Sequence, residues 1–175
     1  MSNLRLINET EITSSVASVN ITDVFTTDFD IYKITTNDIS TVGTVAININ
    51  LRFINSSGSV ISSSDYDYAA LRCASSVAFS ELKSTTATNF TYFGGKADQS
   101  AETNGSVGYI FNPTNTSSYT FGLYQNSTFA NSTNENHKGI GVLTSTANIT
   151  GFQIYFDNQN VNSGFIRTYG LRVDS

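Results

Sequence analysis

The residue types that most often carry chemistry are scarce in this chain. There is one histidine, His137, in the polar run Asn131-Ser-Thr-Asn-Glu-Asn-His-Lys, and one cysteine, Cys73, between Arg72 and Ala74. Zinc sites are built from three or four His, Cys or carboxylate ligands, and one of each nitrogen and sulfur donor falls short. Alternation places Cys73 on the same side as Leu71 and Ala69, which reads as a buried, inert thiol. Serines are plentiful, yet no Gly-x-Ser-x-Gly elbow is present. Gly94-Gly95 is not followed by the Gly-Lys-Ser/Thr of a phosphate-cradling loop. No cofactor is called for.

Two carboxylate pairs remain, Asp28/Asp30 and Asp65/Asp67. In a strand, residues two apart share a face, a spacing open to Ca²⁺ binding or acid–base work. Both pairs stand at loop-to-strand junctions, where Asp commonly accepts turn N–H bonds instead. Tyrosine offers another kind of site, because its ring can stack on a sugar while its hydroxyl stays wet. Tyr66, Asp67 and Tyr68, together with His137, are therefore read as an exposed contact loop. Aromatics in strands are nevertheless core residues more often than not, and the absence of Trp weakens a sugar platform.

The elements that must position these residues are legible as strands. From Thr44 to Phe53 the chain alternates, with Val45, Ile47, Ile49, Leu51 and Phe53 on one side and Ala46, Asn48, Asn50 and Arg52 on the other. Tyr119, Phe121 and Leu123 share a side, as do Phe152, Ile154 and Phe156. Phe165, Arg167, Tyr169, Leu171 and Val173 do the same near the C-terminus. Further strands are expected at 16–22, 29–35, 66–74, 77–82, 88–93, 105–112 and 139–146. Ser56-Ser-Gly-Ser59 reads as a turn, and the lone Pro113 as a strand end. Residues 96–104 and 126–138 are polar and without period, and read as loops. No window shows an apolar recurrence at three and four. The expectation is all-β: one antiparallel sandwich of jelly-roll or Greek-key type, with about ten strands and almost no helix. Residues 1–15, ahead of the regular pattern, form an expected N-terminal arm, and 16–175 the sandwich.

Composition narrows the partners. Ser, Thr and Asn make up more than a third of the 175 residues, and only 13% are charged, about half the usual share of roughly 25%. Phe, Tyr, Ile and Val supply enough apolar surface for a core. The net charge of −5 and the lack of any Lys/Arg run argue against nucleic acid. No apolar stretch approaches the 18 or so residues of a membrane span. The first residues lack the plan of a signal peptide, and a single cysteine forms no internal disulfide, so synthesis in a cytoplasm is expected.

Five stretches together carry a resemblance. They are Thr27-Asp-Phe-Asp-Ile-Tyr-Lys-Ile; the run from Leu51-Arg-Phe-Ile-Asn-Ser-Ser-Gly to Asp65-Tyr-Asp-Tyr-Ala; and Tyr109-Ile-Phe-Asn-Pro with Tyr119-Thr-Phe. Lys138-Gly-Ile-Gly-Val-Leu with Ile149-Thr-Gly-Phe follows, and Gly164-Phe-Ile-Arg-Thr-Tyr-Gly-Leu closes the set. In this order they resemble small β-sandwich virion proteins of tailed bacteriophages, including capsid decoration (cement) proteins and fibre or adhesin domains. The resemblance implies phage origin and a place in the virion, with synthesis in the cytoplasm of a bacterial host, and does not separate head from tail. The missing chemistry, the acidic low-charge composition, the single cysteine and the short chain favour a non-enzymatic structural protein on the capsid surface. On the head, its expected partners are the major capsid protein and other copies of itself, as a homotrimer. The resemblance brings no functional residues with it; Leu4, Arg5, Leu6 and Ile7 are the expected anchor because the arm precedes the regular pattern. The alternative is a tail fibre or receptor-binding domain that recognises a host-surface glycan. An enzyme such as a glycan hydrolase would need two carboxylates at a set separation, which these pairs offer only by accident.

Overall fold

In a computed structural model, residues 3–43, 45–98 and 103–172 are described. Thr44 and Val173, which bound two of the strand readings, and Met1 and Ser2 of the arm lie outside them. Twelve strands follow one another: β1 (Leu4–Ile12), β2 (Ser18–Ile21), β3 (Ile31–Thr41), β4 (Ile47–Asn55), β5 (Tyr66–Ala74), β6 (Val77–Ala87), β7 (Phe90–Ala97), β8 (Asn104–Phe111), β9 (Thr120–Ala130), β10 (Thr133–Leu143), β11 (Ile149–Tyr155) and β12 (Val161–Leu171). They form two antiparallel sheets, with orders β1-β12-β3-β8-β9-β10-β5-β6 and β2-β11-β4-β7. The all-β sandwich expected from alternation is what is found.

The pairing nests. β1 pairs with β12 and β2 with β11; inside them β3 pairs with β8 and β4 with β7. A chain doubled into one long hairpin and then rolled up produces this order, the winding of a jelly roll. Two hairpins depart from it. β5–β6 is inserted between β4 and β7, and β9–β10 between β8 and β11, and both extend the larger sheet beyond β8.

The inner face of this extension is seated on glycine. Gly122 and Gly141 face each other across β9 and β10, and a Cβ on either would meet the Phe90 ring at 2.7 or 2.4 Å. Gly108 stands in the same way under Phe93, and Gly139 leaves room for the Tyr124 ring of the neighbouring strand β9. The Phe90 and Phe93 rings fill the space between the sheets where the strand beneath has no side chain. Phe90, Phe93, Phe53, Tyr66 and Tyr124 form this part of the core, in edge-to-face and offset contacts with centroids 5.4–6.5 Å apart. Their hydroxyls are satisfied: Tyr66 accepts from the Phe53 N–H and donates to the Ile61 carbonyl, and Tyr124 donates to the Thr91 carbonyl.

Three expectations are corrected. Leu4–Ile12 is the edge strand of the larger sheet, paired with β12, and so does not hang free as an arm. Residues 126–138 are strands joined by a two-residue turn, with Asn131 and Ser132 both at positive φ (52° and 59°). That turn needs the left-handed conformation twice, which Asn accepts readily. Of the expected loop at 96–104, Lys96 and Ala97 end β7, and residues 99–102 fall outside the described set.

Polar residues on the inner side of β9 and β10 disguise these strands as a loop. β7 is the edge of the smaller sheet, and its carbonyls would be left bare. Asn126 Nδ2 donates to the Tyr92 carbonyl (2.7 Å) and Thr128 Oγ1 to that of Lys96 (2.6 Å). Side chains of one sheet thus close the open edge of the other.

Candidate interaction face

The outward-pointing residues of the larger sheet line up in rows through the strand register. One row runs Leu4, Leu171, Ile31, Phe111, Phe121, Val142. The next runs Leu6, Tyr169, Lys33, Tyr109, Leu123, Ile140, Ala69, Lys83. The third turns polar: Glu9, Arg167, Thr35, Val107, Gln125, Lys138, Leu71, Glu81. Leu6 is 50% exposed, Phe121 43%, Leu123 40% and Ile140 60%. Contiguous apolar surface of this kind marks a contact site, whereas single exposed apolar residues do not. The sides on which Phe121 and Leu123, and Phe165 to Leu171, gather in the sequence therefore face out; Gly122, Tyr124, Ile166 and Gly170 face the core.

The face is shallow. A depression of about 560 Å³ lies among Asp67, Ala69, Lys83, Ile140 and Val142, and one of about 490 Å³ among Leu71, Glu81, Leu123, Lys138 and Ile140. The polar end holds a groove of about 690 Å³ bounded by Asn37, Gln125, Asn136, Arg167 and Tyr169. Arg167 is tied there by an ion pair to Glu9 and lies over the Phe165 ring, 5.1 Å from its centroid.

Beneath the extension sits a buried ionic cluster. The Glu135 carboxylate takes Lys96 Nζ at 2.7 Å and Arg72 Nε at 2.7 Å, joining β10 to β7 and to β5. Burial alone would raise the Glu135 carboxyl, but the hydrogen bonds from Lys96 and Arg72 outweigh it and hold it below the ordinary carboxylate range. The His137 ring stacks on Tyr92 at 4.4 Å and 18°, with Nδ1 3.2 Å from Asn126 Oδ1. Burial pushes this imidazole down to about 4, Glu135 opposing and Lys96 and Arg72 assisting, so it is neutral at pH 7. The arrangement binds the inserted hairpins to the rest of the sandwich.

The residues read as an exposed contact loop do not form one. Tyr66 and His137 are fully buried, and Tyr68 packs half-buried against the core. Asp67 alone of the four faces outward, at the rim of the apolar rows. Alternation explains the outcome, since Tyr66 and Tyr68 fall on the inner side of β5. Of the expected anchor, Leu4 and Leu6 lie in the exposed rows, Arg5 is exposed, and Ile7 packs against the core beside a register shift between Leu6 and Asn8. Cys73 is half-buried on the outer face and is not a core thiol. Asp28 and Asp30 are both exposed, Asp28 at a turn where its N–H donates to Thr26 Oγ1; Asp65 accepts from Ser63 and its carbonyl from Thr144. Phe121, Leu123, Ile140 and Leu71 carry the face; alternation groups Phe121 with Leu123 but does not mark any of the four as a site. Their signal is Gly122 and Gly141 at the intervening positions, where glycine marks the side on which a ring from the other sheet lands.

No family model matches the chain, and no curated protein matches it. Among solved structures it is similar to the CBM2 module of the evolved Dit of Lactobacillus casei BL23 phage J-1, at 12% identity and a TM-score of 0.30, over 90% of this chain and 70% of that one. It is also similar to a fructofuranosidase from Schwanniomyces occidentalis (8%, 0.24, over 95% of this chain and 34% of that one). The infectious bursal disease virus VP2 subviral particle gives 9% and 0.16, over 98% and 41%. At TM-scores this low the likeness is too slight to bear on function.

Proposed function

We propose that this chain is a non-enzymatic structural protein of a tailed-phage virion, a capsid decoration protein whose outer sheet face lies against the major capsid protein on the head. The observation that carries this reading is the pair of exposed apolar rows from Leu4 and Leu6 to Val142 and Ile140. Burying such side chains is worth on the order of 1.5–3 kcal/mol for each one fully covered, part of which ordering the partners offsets. Many copies on a symmetric shell would then act together. The sequence resemblance supplies the virion context, and Leu4 and Leu6 keep a part in attachment as members of the rows. The test is location and copy number: antibody labelling of heads, with copies in the hundreds per particle, is expected. Labelling of tail tips with a few tens of copies or fewer would overturn the reading.

A second reading draws on the polar end of the same face. Amides of Asn37, Gln125 and Asn136 beside the Tyr169 ring are groups that hold neutral sugars, which fits a receptor-binding domain for a host-surface glycan. Binding on a glycan array, lost in Tyr169→Ala and Gln125→Ala, would favour it over the first.

A further inference from the structure

The larger sheet ends on β6, whose far side has no strand against it among the described residues. An open edge offers unpaired N–H and C=O groups to another strand. Against β5, β6 carries one surplus residue at each end: Asp67 is opposed by Thr85 and Thr86, and Cys73 by Ala78 and Phe79. The regular stretch between these bulges is Ser80–Ser84. Its midpoint is Leu82, which is also the midpoint of the whole strand, and the two bulges lie at equal distances from it. Flanking Leu82 on the outer face are Glu81 and Lys83, with side chains 78% and 74% exposed; within one chain they pair with each other at 3.3 Å, an exposed contact that a partner strand can replace.

We propose that β6 pairs antiparallel with β6 of a second copy, about a two-fold axis at Leu82, making one continuous sheet of the two larger sheets. Such an axis brings Glu81 opposite the partner's Lys83 and Lys83 opposite the partner's Glu81. Opposite charges directly across an antiparallel pair stabilise it, and like charges there destabilise it. The same axis covers the flank of Phe79, which is 71% exposed, with the partner's Thr85. Head-to-tail joining of β6 to the opposite edge, β1, lacks this complementarity. Setting Lys83 opposite the partner's Glu9 places Glu81 opposite the partner's Glu11, a like-charge pair. A two-fold contact is isologous and closes at two copies, in place of the homotrimer implied by the sequence resemblance. The pairing is independent of what the outer face binds.

Sedimentation of the free full-length chain, with no capsid present, tests it. The wild type is expected to be a dimer. Glu81→Lys and Lys83→Glu each put two like-charge pairs across the axis and are expected to raise the dimer dissociation constant about tenfold or more. The double variant E81K/K83E restores opposite charges and is expected to dimerise again. The two single variants mixed are expected to form heterodimers, since each then meets its complement. A monomeric or trimeric wild type, or single variants that dimerise as well as the wild type, would overturn the proposal. Both side chains are on the surface, so circular dichroism that is unchanged between variants separates loss of pairing from loss of fold.

Discussion

The Phe90 ring occupies the space that a Cβ on Gly141 would need, at 2.4 Å. The contact joins the smaller sheet to an inserted hairpin of the larger one, and it explains why the inner residue of β10 between Ile140 and Val142 is glycine. Gly141→Ala is therefore expected to destabilise the fold by about 1–3 kcal/mol, the usual range for an overpacked core. In a domain of this size that lowers the melting temperature by roughly 2–4 °C per kcal/mol, readable by calorimetry. An unchanged melting temperature would mean that Phe90 is not held between the sheets.

His137 gives a pH dependence whose sign is fixed by burial. In the unfolded chain the ring takes a proton near pH 6.5, whereas in the fold it does so only near pH 4. Between these values the unfolded state binds more protons, so stability falls as pH falls through this window, by roughly 3 kcal/mol in all. His137→Phe keeps a ring on Tyr92 and cannot be protonated. Urea midpoints measured from pH 7 to pH 4 are expected to fall less steeply for this variant than for wild type. Parallel curves would show that the buried imidazole titrates normally.

Glu135 holds two cations at the join between the sheets. Glu135→Gln removes the charge and keeps the shape, leaving Lys96 and Arg72 facing each other without an anion. Breaking a buried pair costs about 3–5 kcal/mol, and the partial exposure of Lys96 and Arg72 places this site at the lower end. Lys96→Met with Glu135→Leu, which removes a charge from each side, is expected to be less harmful than Glu135→Gln alone in chemical denaturation. The reverse order would mean that the cluster is not the clamp between β7 and the inserted hairpin.

The sequence was most readable where one face of a strand is oily and the other wet. Ile49, Leu51 and Phe53 alternate with polar residues and are fully buried, and β5 was placed to the residue. Alternation says that two faces differ, but not which of them is covered. In β9 the apolar side is Phe121 and Leu123, yet it is the glycine and tyrosine side that meets the smaller sheet. The polar stretch from Asn126 to His137 failed for a related reason. Its inward amide, hydroxyl and carboxylate groups satisfy the β7 edge and one another, which no local pattern reveals. The outer face went unseen because its rows are assembled from eight strands through register, a long-range property.

The most direct test of the central claim is binding of Ile140→Glu and Leu123→Glu variants to purified heads that lack this protein, measured by co-sedimentation. Both positions point outward, so melting temperatures close to wild type are expected. Binding is expected to fall at least a hundredfold, since each change would bury a carboxylate against an apolar partner. Undiminished binding by both folded variants would contradict an attachment through the outer face of the larger sheet.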